Sequence, residues 1–468
     1  MPASIVWFRN DLRLADNPAL IAGLGSGRPV IPVFVLDEET PGIRRHGAAS
    51  RWWLHHSLRA LDASLRLLGS RLILRRGAAE HVIGELAREC DASAVYWSRA
   101  YDPGTRNRDA RIKQTFEKRG IAADGLKANL LFEPWEVKTS SGGPYRVFSA
   151  FWRACRTMRA PAAPLPAPRT LPAPGLWPSS DDLAAWRLLP TAPDWAGGLG
   201  ATWTPGEAAA ITRLADFLDD ALVHYRQGRD VPSTKATSRL SPHLAFGEIS
   251  PRQIWRAAAT RGHSAPSEKF LAELGWREFG YGLLFQSDDL AQRNFRPEFD
   301  GFPWLDGDEA LEAWRQGRTG YPIVDAGMRE LWTTGWMHNR VRMITASFLT
   351  KDLLIDWRIG ERWFWDTLVD ADPASNPMNW QWVAGCGADA APYFRIFNPT
   401  LQGEKFDPNG DYVRRWVPEL ASLPAETIHR PWAADQAIPP EIYPAPIIDH
   451  AAARQRALQA LRRVKGTG

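Results

Sequence analysis

Val30-Ile-Pro-Val-Phe-Val-Leu36, followed by Gly47-Ala-Ala-Ser-Arg-Trp-Trp-Leu-His-His-Ser-Leu-Arg-Ala-Leu-Asp-Ala-Ser-Leu-Arg-Leu-Leu-Gly69, decides the fold of the first part of this chain. The first run is short, apolar and rich in β-branched residues, which suits a strand. The second places Leu54, Leu58, Leu61, Leu65 and Leu68 on one helical face. Working outward, Ile5–Phe8, Arg71–Leu74 and Ala94–Trp97 repeat the strand pattern, and helical stretches fall near Ala78–Glu89 and Arg106–Arg119. Alternation of this kind predicts a doubly wound α/β domain with a parallel sheet, assigned here to residues 1–135.

Such sheets often bind dinucleotides at a glycine-rich turn. Here Gly23-Leu-Gly25-Ser-Gly27 follows a helical stretch and has the wrong spacing, and the chain has no Walker sequence. Beyond the sheet, residues 136–204 read as an interdomain linker. Its Ala160–Gly200 part carries Pro161, Pro164, Pro166, Pro168, Pro172, Pro174 and Pro178, which break regular structure. Trp177, Trp186 and Trp195 are expected to anchor it to the surface.

Residues 205–468 turn helical. Glu207–Tyr225 sets Ile211, Leu214, Phe217, Leu218, Leu222 and Tyr225 on one face, and Ser241-Pro242 and Ser250-Pro251 each pair a capping residue with proline at the first helical position. Pro322 to Thr334, closed by Gly335, is a further marked helix. No strand alternation of similar length follows, so this second domain is predicted to be all-α.

The 468 residues exceed one ordinary core and fit two domains. Three cysteines, Cys90, Cys155 and Cys386, match neither a zinc site nor a disulfide framework, which points to a reducing cytoplasm. Arg9, Asp11 and Arg13 interrupt what would be a signal core, and no apolar run reaches membrane-span length. A formal charge of +4 permits a nucleic-acid partner without requiring one.

Four constellations could carry chemistry. Thr237-Ser-Arg-Leu-Ser-Pro242 offers hydroxyls and N–H groups to a phosphate, or is a plain helix cap. Glu273, Trp276 and Arg277 share a helical face that suits a stackable polar ligand, or form a surface pair beside a packed indole. Trp336-Met-His-Asn-Arg-Val-Arg-Met343 gathers hydrogen-bond donors, with Asp370 and Asp372 as natural partners for Arg342. Asp370-Ala-Asp-Pro-Ala-Ser-Asn-Pro-Met-Asn-Trp-Gln-Trp382 is too polar for a core helix, and reads as a site loop or an anchored surface loop.

Taken together and in order, these words resemble the photolyase/cryptochrome family over nearly the whole chain. The resemblance rests on Trp7-Phe-Arg-Asn-Asp-Leu-Arg13, Thr237–Pro242, Trp276-Arg-Glu-Phe279, Gly320-Tyr-Pro-Ile-Val-Asp-Ala326, Trp336–Met343, Asp389-Ala-Ala-Pro-Tyr-Phe-Arg395 and Gln402-Gly-Glu-Lys-Phe-Asp407. It implies a folded FAD in the helical domain. Tyr225, Thr237, Ser238, Arg239, Leu240 and Ser241 would then hold phosphates, with Phe270 and Arg277 lining the cavity. Asn339, Arg342, Asp370 and Asp372 would frame the flavin and ribityl chain, and Asn376 would face flavin N5.

The resemblance further implies light-driven repair of cyclobutane pyrimidine dimers in DNA, flipped out of the duplex. Glu273, Asn376 and Met343 are the catalytic candidates. Trp276, Arg277, Arg340, Trp382 and Gln402 would meet the lesion or nearby DNA, and Trp304, Trp357 and Trp380 would pass electrons from the surface. No metal is required. Two alternatives differ in kind. A (6-4) photolyase would carry histidines around the lesion, including one where Asn339 stands, and a cryptochrome photoreceptor often adds a long C-terminal tail, whereas this chain ends soon after Pro440–His450 and the helical, basic stretch Ala451–Lys465. For the antenna, Tyr101-Asp-Pro-Gly-Thr-Arg106 departs from one folate-binding branch, whereas Trp52-Trp53 and the loop Pro41–His46 resemble another. Methenyltetrahydrofolate is therefore favoured over 8-hydroxydeazaflavin, in a monomeric protein.

Overall fold

The computed structural model describes residues 2–262, 264–287, 289–390, 394–433, 438–464 and 466. Ala391-Pro392-Tyr393 of the quoted Asp389–Arg395 word, and Lys465 at the end of the basic stretch, lie outside the described residues.

The opening stretch folds as read. Strands β1 (Ser4–Phe8), β2 (Val30–Leu36), β3 (Ile73–Arg76), β4 (Ala94–Ser98) and β5 (Ala122–Leu126) alternate with helices α1 (Pro18–Gly25), α2 (Ala48–Leu67), α3 (Ala79–Glu89) and α4 (Pro103–Glu117). The sheet is parallel in the order β3-β2-β1-β4-β5, with Ile5 opposite both Ile31 and Val95. Val6, Phe8 and Phe34 pack under α1 and α2, while Ile5, Val33 and Val95 pack against α3 and α4. Strand β5 escaped the sequence reading. It sits on the sheet edge, and Asp124 and Gly125 interrupt its apolar pattern.

The proline-rich linker lies along the β3 side of the sheet. Asp181 N donates to Leu74 O at 2.8 Å, Leu74 N donates to Ser180 Oγ at 2.9 Å, and Val30 N donates to Pro172 O at 2.9 Å. The exposed edge of β3 is thereby covered, which removes a template for pairing with another chain. Of the three expected anchors, Trp186 is buried against Phe34 and Trp177 lies under Arg71. Trp195 is an exception, 36% exposed, because the short helix Gly197–Thr202 is held by Leu199 instead. The linker region also contains helix α5 (Phe148–Thr157), which the sequence reading left unassigned.

Trp53 on α2 joins the two domains. Its ring packs against Trp203, His243 and Phe246, and its Nε1 donates at 3.0 Å to Glu248, which also accepts from Gly206 N and holds His243 Nδ1. Truncating such a ring to Ala costs about 3–5 kcal/mol in a packed core. Arg13 is wholly buried in the same seam, donating to Gly247 O at 2.8 Å and to Asp16 O at 2.9 Å.

The second domain is helical, with three departures from the sequence reading. Glu207–Tyr225 is not one helix: it runs to Asp216, widens through Phe217–Ala221 and tightens through Leu222–His224. Ile211, expected on the buried face, is exposed. Ser241 does not cap its helix, which begins at Ser241 itself; its hydroxyl instead accepts from Trp336 Nε1 at 3.2 Å. Within the stretch read as a polar loop, Ser375–Ala384 is a helix. Its polar residues are buried because they have partners: Gln381 Nε2 donates to Leu290 O and Arg293 O, and Asn376 Nδ2 donates to Glu361.

Candidate active site

A cavity of about 510 Å³ opens in the helical domain. The helix Ala265–Gln286 supplies Phe270, Glu273, Trp276 and Arg277 from one face, as their spacing requires. The helix Asn339–Ser347 supplies Asn339, Arg340, Arg342 and Met343, and the helix Ser375–Ala384 supplies Asn376, Trp380 and Trp382. Tyr225, the run Thr237, Ser238, Arg239, Leu240 and Ser241, and Asp370 and Asp372 complete this wall.

Local chemistry positions each wall. His338 starts the helix Asn339–Ser347: burial pushes its imidazole down to about 4, so it is neutral, and its Nδ1 accepts from Arg340 N at 3.2 Å. Arg342 donates to Asp370 Oδ2 at 2.8 Å and to Met337 O at 2.7 Å. Asp372 takes another partner than expected. It accepts from the Tyr281 hydroxyl at 2.8 Å and from Ala374 N and Ser375 N, which orients the start of the next helix.

Glu273 is ion-paired with Arg229 and, at 3.2 Å, with Lys269. Arg277 reaches across to Asn129 O at 2.6 Å and lies over the Tyr281 ring. Trp276 is stacked on Phe148 of α5, with ring centroids 3.7 Å apart and planes at 11°. One face of Trp276 is therefore covered by protein, and the indole also borders the cavity. Trp382 is held by a 3.0 Å bond from Nε1 to Asp389 O.

Asn376 has both hydrogens of its amide directed at Glu361, to the backbone O at 3.0 Å and to Oε1 at 2.9 Å. Its carbonyl is the group left for the cavity. Glu361 is wholly buried and is gripped by Arg44 of the sheet domain. Arg44, Glu361, Arg229, Lys269, Tyr281 and Phe148 carried no signal in the sequence. Their roles come from contacts between distant segments.

Two expected residues of the electron path lie outside the cavity wall. Trp357 is fully buried and Trp304 half-buried, both in the apolar core that also holds Trp380. The Trp380 ring touches Phe364 at 5.0 Å and Trp314 at 6.3 Å between centroids. Gln402 stands apart from the cavity, in a separate groove beside Asn398, Leu401, His450 and Arg454.

The wall fits a long ligand with an anionic middle and a flat polar ring. Asp370 Oδ1 and Arg239 Nε are buried and have no partner among the described residues, so each has a bond left to offer. Hydroxyls of the 237–241 run line the same cavity as the apolar faces of Phe270, Met343 and Trp380.

Fold and cavity define a two-domain protein with a sheet domain and a helical cofactor domain. Residues 4–169 match the family model for DNA photolyase, and residues 270–463 match that for the FAD binding domain of DNA photolyase. A deoxyribodipyrimidine photo-lyase of Agrobacterium fabrum is 52% identical, covering 99% of this chain and 98% of that protein. Cryptochrome-1 of Arabidopsis thaliana is 40% identical, covering 98% of this chain and 70% of that protein. The crystal structure of a bacterial class III photolyase from Agrobacterium tumefaciens superposes with a TM-score of 0.96 at 52% identity, covering 100% of this chain and 98% of that one. The chain belongs to the photolyase/cryptochrome family.

Proposed function

We propose that this protein repairs cyclobutane pyrimidine dimers in DNA under blue light, with FAD bound in the helical-domain cavity. The chemistry that a bound, reduced FAD supplies is the loan of one electron to the dimer, returned after both cyclobutane bonds have broken. The protein's part is to bind, orient and exclude water. Thr237, Ser238 and Ser241 offer hydroxyls to the phosphates, with Arg239 as the cation among them. Arg342 and Asp370 would hold the polar edge of the ring, and the Asn376 carbonyl, aimed by Glu361, would be free to accept a hydrogen bond from it.

The observation that carries this reading is the meeting of Trp276, Trp382 and Glu273 in one cavity with that cofactor wall. Two indoles can pack against a flipped dinucleotide, and a carboxylate can accept from its pyrimidine edge. Arg340 stands beside them as a cation for phosphate. No histidine is among the described residues of the wall, which favours the cyclobutane lesion over the (6-4) product. Asn376, rather than aspartate, favours repair over cryptochrome signalling.

Trp380, Trp357 and Trp304 serve as the relay that recharges an oxidised flavin from the surface. For the antenna, methenyltetrahydrofolate remains the favoured chromophore. At the β1/β4 switch point, where such sheets take ligands, Arg9 just after β1 and Arg108 of α4 lie over Trp7, tied to Asp109 and Asp37. These ion pairs close the switch point to a flat chromophore. The protein acts as a monomer in the cytoplasm. An absorbance spectrum of the purified protein, then illumination with a dimer-containing oligonucleotide, tests the reading: flavin bands and regained thymine absorbance support it, and a dimer left intact by the reduced, flavin-loaded protein rejects it.

A further inference from the structure

We infer that Asn294 and Asp300 keep the indole proton on Trp357 while charge passes through it, which makes Asn294 a positioning residue of the tryptophan relay. This rests on the relay proposed above. Trp357 is wholly buried, and its Nε1 donates to Asn294 Oδ1 at 2.9 Å. Asn294 Nδ2 donates in turn to Asp300 Oδ1 at 2.7 Å. With a donor on one side and a carboxylate on the other, only one orientation of the amide satisfies both bonds, so its oxygen faces the indole.

An indole that loses an electron becomes a strong acid at its N–H. A neighbouring base would take the proton and leave a neutral radical, trapping the oxidising equivalent. An amide oxygen is far too weak a base to do this, yet its dipole, oriented by the Asp300 carboxylate, stabilises positive charge on the ring. Among the described residues, Arg358 also lies by the ring, 4.9 Å from its centroid, paired with Asp356 at 3.0 Å. Arg358 also donates to Gln292 O at 2.6 Å, which keeps the guanidinium in place.

The electron count closes. One electron drawn from Trp380 by photoexcited oxidised flavin is replaced from Trp357, and that of Trp357 from Trp304. The flavin ends reduced by one electron and Trp304 oxidised by one. Trp304 is half-buried at the core's margin, where water can accept its proton.

Asn294→Asp puts a base where the amide oxygen was. In the flavin-loaded protein, pulsed absorption of this variant should show a neutral tryptophan radical at the middle of the relay, with photoreduction several-fold lower. The introduced carboxyl would be buried and would face the Asp300 carboxylate, and both effects raise its pKa. The trap should therefore disappear as pH falls, a profile that a merely structural lesion would not produce. Asn294→Leu, which supplies no base, should keep the cation spectrum. In the unmodified protein, heavy water should slow only the final stage at Trp304; slowing at the Trp357 stage overturns the inference without any variant. Trp357→Phe separates the two readings. If it leaves photoreduction intact, the relay itself fails; if it blocks photoreduction while Asn294→Asp retains the cation spectrum, the role of Asn294 is wrong.

Discussion

Arg44 grips Glu361 with both ends of its guanidinium, at 2.6 and 2.9 Å, and thereby ties a loop of the sheet domain to the residue that aims Asn376 into the cavity. The Arg44 guanidinium also lies 3.9 Å from the centre of the Trp365 ring, and Trp365 Nε1 donates to Arg45 O, so the loop is clamped from both sides.

Replacing Arg44 by Ala should therefore do more than trim a surface loop. It leaves a buried carboxylate without its cation, a change that costs several kcal/mol in a closed site. Arg44 is partly exposed, so about 2 kcal/mol is the expected loss. Thermal unfolding should show it together with weaker flavin retention. Arg44→Lys should recover only part, since lysine cannot make the two-pronged contact. A variant as stable as the parent would show that water replaces the pair.

Trp304→Phe should abolish photoreduction of oxidised flavin yet leave repair by chemically reduced protein close to the parent rate. Steady-state spectra and an oligonucleotide repair assay read the two separately. Equal loss of both would argue that Trp304 supports the cavity rather than the relay.

Glu273→Ala should lower repair about tenfold, the scale of one lost charge-assisted hydrogen bond, with flavin content unchanged. The flavin-to-protein absorbance ratio is the control. Loss of flavin would move Glu273 from the lesion side of the cavity to the cofactor side.

Glu278 makes stability depend on pH. Burial pushes its carboxyl up to about 7, partly offset by Arg277 and by the N–H groups of Phe132 and Leu131. The folded state thus prefers the protonated form, and this contribution is complete below about 4.5 and lost as pH rises through about 7. Glu278→Gln should match the parent near the acid end and exceed it by up to about 3 kcal/mol in mildly alkaline buffer. Denaturant titrations across that range check it; a gap that stays constant with pH would contradict the assignment.

The sheet was legible because β1, β2 and β4 are apolar runs between helices with clear stripes, and only edge strand β5, with Asp124 and Gly125, fell below that signal. The helix Ser375–Ala384 was not legible for a different reason. Asn376 and Gln381 look like loop residues until their partners at Glu361, Leu290 and Arg293 are known. The same holds for the site. Residues within one helix, such as Glu273, Trp276 and Arg277, announce a shared face by spacing alone. Arg44 and Glu361 lie 317 positions apart, and Trp357 and Asn294 lie 63 apart, and no periodicity reaches that far. Resemblance supplied the cavity's outline. The partners that orient its side chains came from the folded contacts.

The linker strap has a consequence for biosynthesis. Strands β1 to β5 leave the ribosome first, but the backbone partners of Val30 and Leu74 are Pro172 and Asp181, and Arg13 closes onto Gly247. The β3 flank of the nascent sheet must therefore wait, unpaired, until the linker has followed it out, and Arg13 must wait for the opening helices of the second domain. The earliest-made part of the protein is thus completed by segments that emerge well after its last strand.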